Sequence, residues 1–448
     1  MLNYIYSWLK KIGLDAAIAY TVLSRVVQAG GGIIAIIFVA RELTTHEQGY
    51  YYTFASIIAI QVFFELGLSS IITQYAAHEF AHLKFDEESN LEGSEIHQSR
   101  LASLLQFCMK WFGVISVVLF FALIVVGIFF FTNFSKDVVV AWKQPWIVLC
   151  LATSLNLFID PILAFYDGLG RVKDMAQIRF IQRTANLLFL IFFFILGFKL
   201  YASAMASLLS IGINYFQIAF SRRKELLIKI WKAKTKYSIN YFQEIFPFQW
   251  RIAVSWISGY FIYQLFNPVL FATEGPVVSG QMGITIQVLN GITAIVMSWI
   301  TTKIPAFSNF IARKEYDQLD ELFNSTLLKV SCLYVFFLVL FVLGVWFMHD
   351  HNFVYSARFL PIVPTIIMSV IFFLNQIVFS WATYIRCHKV EPYLVFSIVF
   401  AVLTSTSTFV LGYKFGLSGI VYGYATLTAV SFVVSYLIFI KQKNILHR

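Results

Sequence analysis

The sequence predicts an all-α polytopic membrane protein with about 12 transmembrane helices in two six-helix repeats. Three observations support this fold class: the composition, the spacing of the apolar segments and a basic stretch at the middle of the chain. Of the 448 residues, 59% are hydrophobic and only 12% are charged, and the mean hydropathy is +0.76. Because soluble domains carry roughly 25% charged residues, this composition places most of the chain in a bilayer.

Apolar segments of membrane-spanning length recur along the whole chain. A helix needs about 20 apolar residues to cross the hydrocarbon core. By that measure the predicted spans are 16–40, 50–77, 101–132, 144–166, 175–197, 200–220, 247–272, 277–302, 325–348, 359–383, 391–413 and 416–440. An even number of spans places both termini on one side of the membrane.

A basic stretch, SRRKELLIKIWKAKTK at 221–236, separates the two sets of spans. It divides the chain into an N-terminal six-helix lobe (1–220), a basic cytoplasmic connector (221–246) and a C-terminal six-helix lobe (247–448). Basic loops resist translocation, and most other loop lysines and arginines fall on the same side as the connector. We therefore expect both termini in the cytoplasm, with Lys10 and Lys11 holding the N-terminus there.

The connector has apolar residues at helical spacing between its charges. Leu226, Leu227, Ile230 and Trp231 fit a short amphipathic helix that rests on the anionic inner leaflet. A solvated basic loop that only sets the orientation of the protein fits equally well. The net charge of +10 does not indicate nucleic-acid binding, because the basic residues lie in membrane loops rather than on a soluble module.

The two halves of the chain resemble each other. LGFKLYASAMAS at 196–207 and LGYKFGLSGIVY at 411–422 occupy the same place in each half, and a basic inner loop precedes both at the same offset. Each segment joins the last two spans of its half through a short outer turn. Transporters built from such repeats bind their substrate between the two halves.

The stretch ARELTTHEQGYYYTFASIIAIQVFFELGLSSII at 40–72 resembles the polysaccharide-unit flippases of the multidrug/oligosaccharidyl-lipid/polysaccharide exporter superfamily. The shared features are an arginine in the first span, a following turn and a phenylalanine-rich second span. In this chain they are Arg25, then Arg41, Leu43, Glu47, Gly49 and Tyr51, then Phe63, Phe64, Gly67 and Leu68.

The resemblance implies a V-shaped exporter whose two lobes rock around a central cavity. Its expected cargo is an undecaprenyl-pyrophosphate-linked oligosaccharide, which it would flip across the bacterial inner membrane for cell-surface polysaccharide synthesis. Membrane lipids surround such a protein, and a polymerase and glycosyltransferases of the same pathway are its candidate protein partners. No enzymatic activity is expected.

Arginines inside the spans indicate a binding site for an anionic cargo. A charge at bilayer depth is costly, so it usually faces an aqueous cavity or a partner. Arg25, Gln28, Arg183 and Arg251 fall on polar helix faces and would bind the pyrophosphate and glycan, with Tyr263 stacking on a sugar ring. The alternative role for Arg25 is a buried ion pair with Glu65.

Glu65 and Asp160 are the acids placed well inside predicted spans, so either is a candidate site for a coupling proton or sodium ion. No other cofactor is expected. Pro161 follows Asp160, and its ring is predicted to break or kink the fourth span at this point.

Two other functions fit parts of the sequence. A multidrug or cation antiporter of the same superfamily would prefer acids in its cavity, whereas the first span carries Arg25. A metalloprotease is suggested by HEFAH, in which His78 and His82 would bind zinc and Glu79 would act as the base. That pentamer ends a span beside an acidic loop, and twelve spans do not suit a protease.

Overall fold

The computed structural model describes residues 16–85, 91–135, 140–233 and 236–447, and these residues are mainly helical. Lys10, Lys11 and Lys234, which were assigned to the cytoplasmic side, lie outside the described residues. Within the first half, the helices are α1 (Ala16–Glu42), α2 (Thr45–Ile58), α3 (Val62–Glu65), α4 (Leu68–Phe80), α5 (Glu95–Phe134), α6 (Lys143–Gly168), α7 (Val172–Ile195) and α8 (Tyr201–Ala219). A small antiparallel hairpin, β1 (Leu83–Phe85) with β2 (Leu91–Gly93), precedes α5.

The second half begins with the connector helix. Its helices are α9 (Arg222–Lys232), α10 (Phe246–Tyr263), α11 (Phe266–Thr273), α12 (Pro276–Thr301), α13 (Ile304–Arg313), α14 (Tyr316–Asp350), α15 (Ile362–Cys387) and α16 (Leu394–Leu446). Single turns of tighter or wider helix occur at Ala59–Gln61, Tyr241–Ile245 and Ser356–Arg358.

Nine helices or runs of helices in the described residues are long and apolar enough to cross a membrane. One of them, α16, holds two spans, because Gly416 interrupts it with φ 58° and ψ −136°. Adding α1 and the broken pair α10–α11 gives the twelve predicted spans. The all-α, twelve-helix polytopic fold is therefore confirmed.

Two helix interruptions differ from expectation. The helix is not broken at Pro161, since α6 continues past this residue to Gly168, and the alternative of a kink there stays a prediction. The second span is instead broken where α3 ends, because Leu66 and Gly67 both take left-handed conformations with φ 50° and 69°. A β-carbon at Gly67 would overlap the side chain of Ile252, so both the backbone angle and the packing require glycine there.

Contacts group the described chain into two compact units. Unit 1 contains residues up to Gly31, then Ile58–Thr132 and Ala141–Ile257, whereas unit 2 contains Gly32–Ile57, Asn133–Val140 and Ser258–Arg448. The ends of the first two spans that flank the turn between them, within Gly32–Ile57, therefore pack with the second half of the chain. The six-helix lobes 1–220 and 247–448 stay a prediction.

Each unit has its own apolar packing. In unit 1, Leu105, Cys108, Phe112, Trp146 and Cys150 are fully buried. In unit 2 a continuous core extends along α12, α14, α15 and α16 and includes Met282, Tyr334, Met368, Tyr384 and Tyr424.

Candidate substrate and ion site

A cavity of about 380 Å³ lies within unit 1 and contains two arginines. The fourth, fifth, first and second spans supply its walls, and its lining residues are Ser24, Thr73, Asp167, Val172, Ala176, Arg179 and Arg183. The size falls within the range of small-molecule sites. Of the arginines that the sequence predicted to bind cargo, this cavity contains Arg183, and the predicted cavity between the two halves stays a prediction.

The two arginines come from one face of α7. Arg179 and Arg183 are four residues apart, so their side chains project in the same direction from the helix. The Arg179 Nη2 atom lies 2.9 Å from the Asp167 Oδ2 atom, and Arg183 Nη1 donates to Ser24 Oγ over 2.9 Å. The lining contains two arginines and one aspartate, and Asp160 also interacts with Arg179, so the cavity can accept an anionic group once a proton or a cation neutralises the nearby carboxylates.

A second polar cluster of unit 1 contains both predicted ion-coupling residues. Asn156 Nδ2 donates to Asp160 Oδ2 at 2.8 Å, and Gln182 Nε2 in turn donates to Asn156 Oδ1 at 3.2 Å. Asp160 is close enough to Glu65 and Arg179 to interact electrostatically with both. The structure thus brings Glu65 and Asp160 near each other and near the cavity arginines.

The broken second span positions Glu65. It is the last residue of α3, and the left-handed Leu66 and Gly67 that follow end the regular helix beside it. Interrupted helices in transporters expose backbone carbonyls where ions bind. Two neighbouring carboxylates repel each other when both are charged, and a bound proton or cation relieves that repulsion.

The other predicted binding residues are more dispersed. Arg25 lies on α1 next to Ser24, but its side chain is outside the described part of the structure, and so is its predicted pairing with Glu65. Gln28 is exposed one turn further along α1. Arg251 is exposed on α10, where its guanidinium carbon lies 5.5 Å from the centre of the Trp250 ring. It is not among the residues that line the cavity.

Tyr263 belongs to unit 2, where it is 37% exposed and its ring centre lies 6.5 Å from that of Phe379. The polar residues around the middle of unit 2 are neutral. Asn375 Nδ2 donates to the Tyr424 hydroxyl over 3.2 Å, and Gln376 Nε2 donates to Ser380 Oγ over 3.1 Å. These bonds join or stiffen helices rather than present a charge.

Sequence reasoning did not select Asp167, Arg179, Ser24 or Thr73 as binding residues. The four-residue spacing between Arg179 and Arg183 is the signal that could have added Arg179. The ion pair between Arg179 and Asp167 is a tertiary contact between α6 and α7, and no local pattern predicts it.

The HEFAH residues have a structural role. Glu79 is only 2% exposed, and its carboxylate contacts both Arg100 Nε at 2.8 Å and His97 Nδ1 at 2.7 Å. A glutamate held in this way cannot act as a free general base. Across the described residues, no group of three or more His, Cys, Asp or Glu side chains is arranged to hold a metal ion.

Comparisons with known proteins connect this fold to one superfamily. No family model matches the chain, and no curated protein matches it either. Among solved structures, the MATE multidrug transporter DinF-BH superposes with a TM-score of 0.60 at 13% identity, and the match covers 95% of each chain. A MATE protein in the bent conformation gives 0.57 at 14% identity, covering 96% of this chain and 95% of that one.

A further neighbour is a transporter of the same superfamily from Pyrococcus furiosus, described by the reverse polarity of its binding pocket, which suggests a different function for it. It gives a TM-score of 0.50 at 13% identity, and the match covers 96% of each chain. At such identities the likeness shows the fold. This chain has the twelve-helix fold of these solved membrane transporters.

Proposed function

We propose that this chain is a secondary transporter that flips an anionic lipid-linked oligosaccharide across a bacterial inner membrane. The observation on which this rests is the cavity of unit 1, whose wall carries Arg179 and Arg183 together with Asp167, while Glu65 and Asp160 lie nearby as ionisable acids. Arginine stays charged at any physiological pH, and its planar fork of donors matches phosphate oxygens. The pyrophosphate of an undecaprenyl-linked glycan is such a group.

In this proposal the cavity arginines bind the head group while the lipid tail stays in the bilayer. Arg25 stays a cargo-binding residue predicted from the sequence. Asp167 competes with the phosphate for Arg179 and pairs with it again when the cargo leaves. Cargo binding therefore remains reversible. A transporter needs that reversibility at both membrane faces.

Glu65 and Asp160 are the proposed coupling residues. Their proximity favours occupation by a proton or a sodium ion, and Asp160 also interacts with Arg179 of the cavity. Ion binding at the carboxylates would therefore change the field at the cargo site. That electrostatic link is a direct way to couple an ion gradient to export.

The remaining parts of the proposal follow from the sequence. Both termini would lie in the cytoplasm, and the cargo would pass from the inner to the outer leaflet for cell-surface polysaccharide synthesis. A polymerase and glycosyltransferases would act before and after this step.

A multidrug or cation antiporter is the second candidate. The comparisons support it more directly, since the matched solved structures with the higher TM-scores are MATE transporters, one of them named as a multidrug transporter. The carboxylates of Glu65, Asp160 and Asp167 would then attract a cationic drug. The two arginines of the same cavity argue against this cargo, because a cation bound there would meet like charges.

One experiment separates the two candidates. Cells that lack the gene are compared with complemented cells for the leaflet in which lipid-linked glycan accumulates, and in parallel for efflux of a cationic dye such as ethidium. We expect cytoplasmic-leaflet intermediates to accumulate in the deletion strain while dye efflux stays unchanged. Normal glycan export together with reduced dye efflux would establish the second candidate instead.

A further inference from the structure

The basic connector is fastened to unit 1 by its apolar face. Ser221 caps α9, and Leu226 and Ile230, one helical turn apart, are buried against the unit. The Tyr166 hydroxyl donates to the carbonyl oxygen of Arg223, and Gln106 Nε2 donates to that of Trp231 at 3.0 Å. Of the four residues of the predicted apolar face, Leu226 and Ile230 are therefore covered by the protein rather than by lipid, whereas Leu227 and Trp231 are half-buried.

The second part of the connector is held just as firmly. The backbone nitrogen of Tyr237 donates to Ser99 Oγ at 2.8 Å, and that of Ile239 donates to Ser103 Oγ at 3.4 Å. Glu244 forms an ion pair with Arg100, with 2.5 Å between Oε2 and Nη2. Anchoring at both ends fixes the direction in which the remaining side chains of the connector point.

The opposite face of the connector is basic and exposed. Lys224 and Lys232 project from the outer side of α9 together with Ile228, and Lys236 follows just beyond the helix. Glu225 is the one acidic residue of α9 and cannot offset this charge. Because the helix is already anchored, a ligand can bind these lysines without the entropic cost of ordering the helix.

Large aromatic side chains are exposed beside the lysines. Phe242 is 75% exposed, and Tyr237, Phe246 and Trp250 are each exposed by more than a third. Phe246 and Trp250 belong to the first turns of α10, which enters the membrane. Exposed aromatic rings at the entrance of a span are typical of the boundary between head groups and acyl chains.

We propose that this outer face of the connector, formed by Lys224, Lys232 and Lys236 with Phe242 and Phe246, binds the head groups of anionic phospholipids in the adjacent leaflet. The lysines match the negative lipid charge, and the phenylalanines reach the upper acyl chains. An acidic protein could also pair with the lysines, but it would not provide an apolar phase that buries the exposed phenylalanine rings. The proposal concerns surrounding lipid and is independent of the cargo.

The test uses the full-length protein in nanodiscs of phosphatidylcholine with a minor fraction of phosphatidylglycerol. Native mass spectrometry counts the phosphatidylglycerol molecules that stay bound to the wild type and to the triple variant Lys224→Gln, Lys232→Gln, Lys236→Gln. Each lysine near an anionic surface contributes modestly, so we expect the triple variant to lose the preference for the anionic lipid by about tenfold or more. High salt should weaken the preference of the wild type in the same direction.

A matched control removes the same charge elsewhere. Lys303, Lys314 and Lys389 are also exposed, are predicted to face the same side of the membrane and belong to unit 2. Their replacement by glutamine should leave the lipid preference unchanged, and unchanged melting temperatures would show that both triple variants fold. The proposal would be overturned if both triple variants lost the preference for phosphatidylglycerol equally, or if the connector variant kept it. If the connector variant kept the lipid preference but no longer bound an acidic protein, the lysines would be a protein-binding surface instead. None of these readouts depends on transport.

Discussion

The interiors of the two units differ in charge. Unit 1 places Glu65, Asp160, Asp167, Arg179 and Arg183 along its membrane-spanning helices, in or near one cavity. These side chains are half-buried except that of Arg179, which is 46% exposed. In the described part of unit 2, the buried or half-buried charged side chains, among them Glu47, Asp320, Arg358 and Lys443, lie near the ends of helices instead. A charge at bilayer depth is expensive, so its retention in one unit indicates a use there.

The hydroxyl and amide side chains of unit 2 form hydrogen bonds between its helices. Gln48 Nε2 donates to the carbonyl oxygens of Gly280 and Arg358 at 2.9 and 3.0 Å, and the Thr53 and Ser279 hydroxyls lie 2.9 Å apart. These bonds fasten α2 to the second half of the chain. We therefore expect substitutions in unit 1 to change cargo or ion specificity, and changes in unit 2 to act on stability or on movement.

The largest effect should come from locking α2 to α12. The Thr53→Cys, Ser279→Cys variant places two thiols where the hydroxyls now touch, and both positions are buried. If the predicted lobes 1–220 and 247–448 rock against each other, this contact must open during transport. We expect oxidation to abolish transport in proteoliposomes and a reductant to restore it.

A second cysteine pair provides the control. Asn186 Nδ2 donates to Ser210 Oγ at 3.2 Å, and both residues belong to unit 1 and to one predicted lobe. The Asn186→Cys, Ser210→Cys crosslink should leave transport intact. Full activity of the oxidised Thr53–Ser279 variant would mean that residues 32–57 move with the second half, and the predicted lobe boundaries would then be wrong.

Arg183→Ala is expected to have the next largest effect. A hydrogen bond to a charged group contributes about 1.5–3 kcal/mol, so losing one cargo contact should weaken binding about tenfold or more. Glycan export measured in complemented deletion cells should fall accordingly, with normal protein levels. Arg171→Ala removes an exposed arginine outside the cavity and should export normally. Equal export by both variants would contradict an anionic cargo.

Asp160→Asn should separate coupling from binding. The amide oxygen can still accept from Asn156, so the local structure is kept while the charge is removed. We expect cargo binding to persist and the dependence of transport on a proton or sodium gradient to be lost. Asp350→Asn, an exposed change at the end of α14, should keep that dependence. Unchanged ion dependence in the Asp160 variant would place coupling elsewhere.

Most of the helical architecture could be read from the sequence, because bilayer thickness fixes the length of apolar segments. The fourth predicted span, 144–166, differs from α6 (Lys143–Gly168) by one or two residues at each end. Hydropathy cannot report where a helix bends, however. The break at Leu66 and Gly67 depends on close packing against Ile252, nearly two hundred residues away, whereas α6 is continuous through Pro161.

The candidate site was predictable only in part. Arg183, Glu65 and Asp160 were found because an ionisable residue inside an apolar segment is conspicuous in any sequence. Their partners were not, since Asp167 sits at the end of a helix, where an acid is ordinary. The pairing of Arg179 with Asp167, and of Asp160 with Glu65, depends on how the helices pack and has no local signature.

The smallest expected effect concerns the ion pair between Glu244 and Arg100, which holds the connector on unit 1. The hydrogen bond from Arg100 lowers the pKa of Glu244 below its ordinary value of 4.5. The charge of this carboxylate therefore stabilises the fold above that pH, and the contribution disappears as the pH falls through the lowered pKa. Since the side chain is 30% exposed, the contribution should be about 1 kcal/mol or less.

Thermal unfolding of the wild type and of Glu244→Gln, each in detergent, checks this expectation. The variant should unfold at a lower temperature near neutral pH, and the difference should vanish well below pH 4.5, where the wild-type carboxylate is also neutral. Glu391→Gln removes a similar pair with Arg386 that is exposed on both sides, and it should change the unfolding temperature less. If the two proteins differed in unfolding temperature by the same amount at both pH values, Glu244 would stabilise the connector through packing and neutral hydrogen bonds. Only a charge effect disappears on protonation.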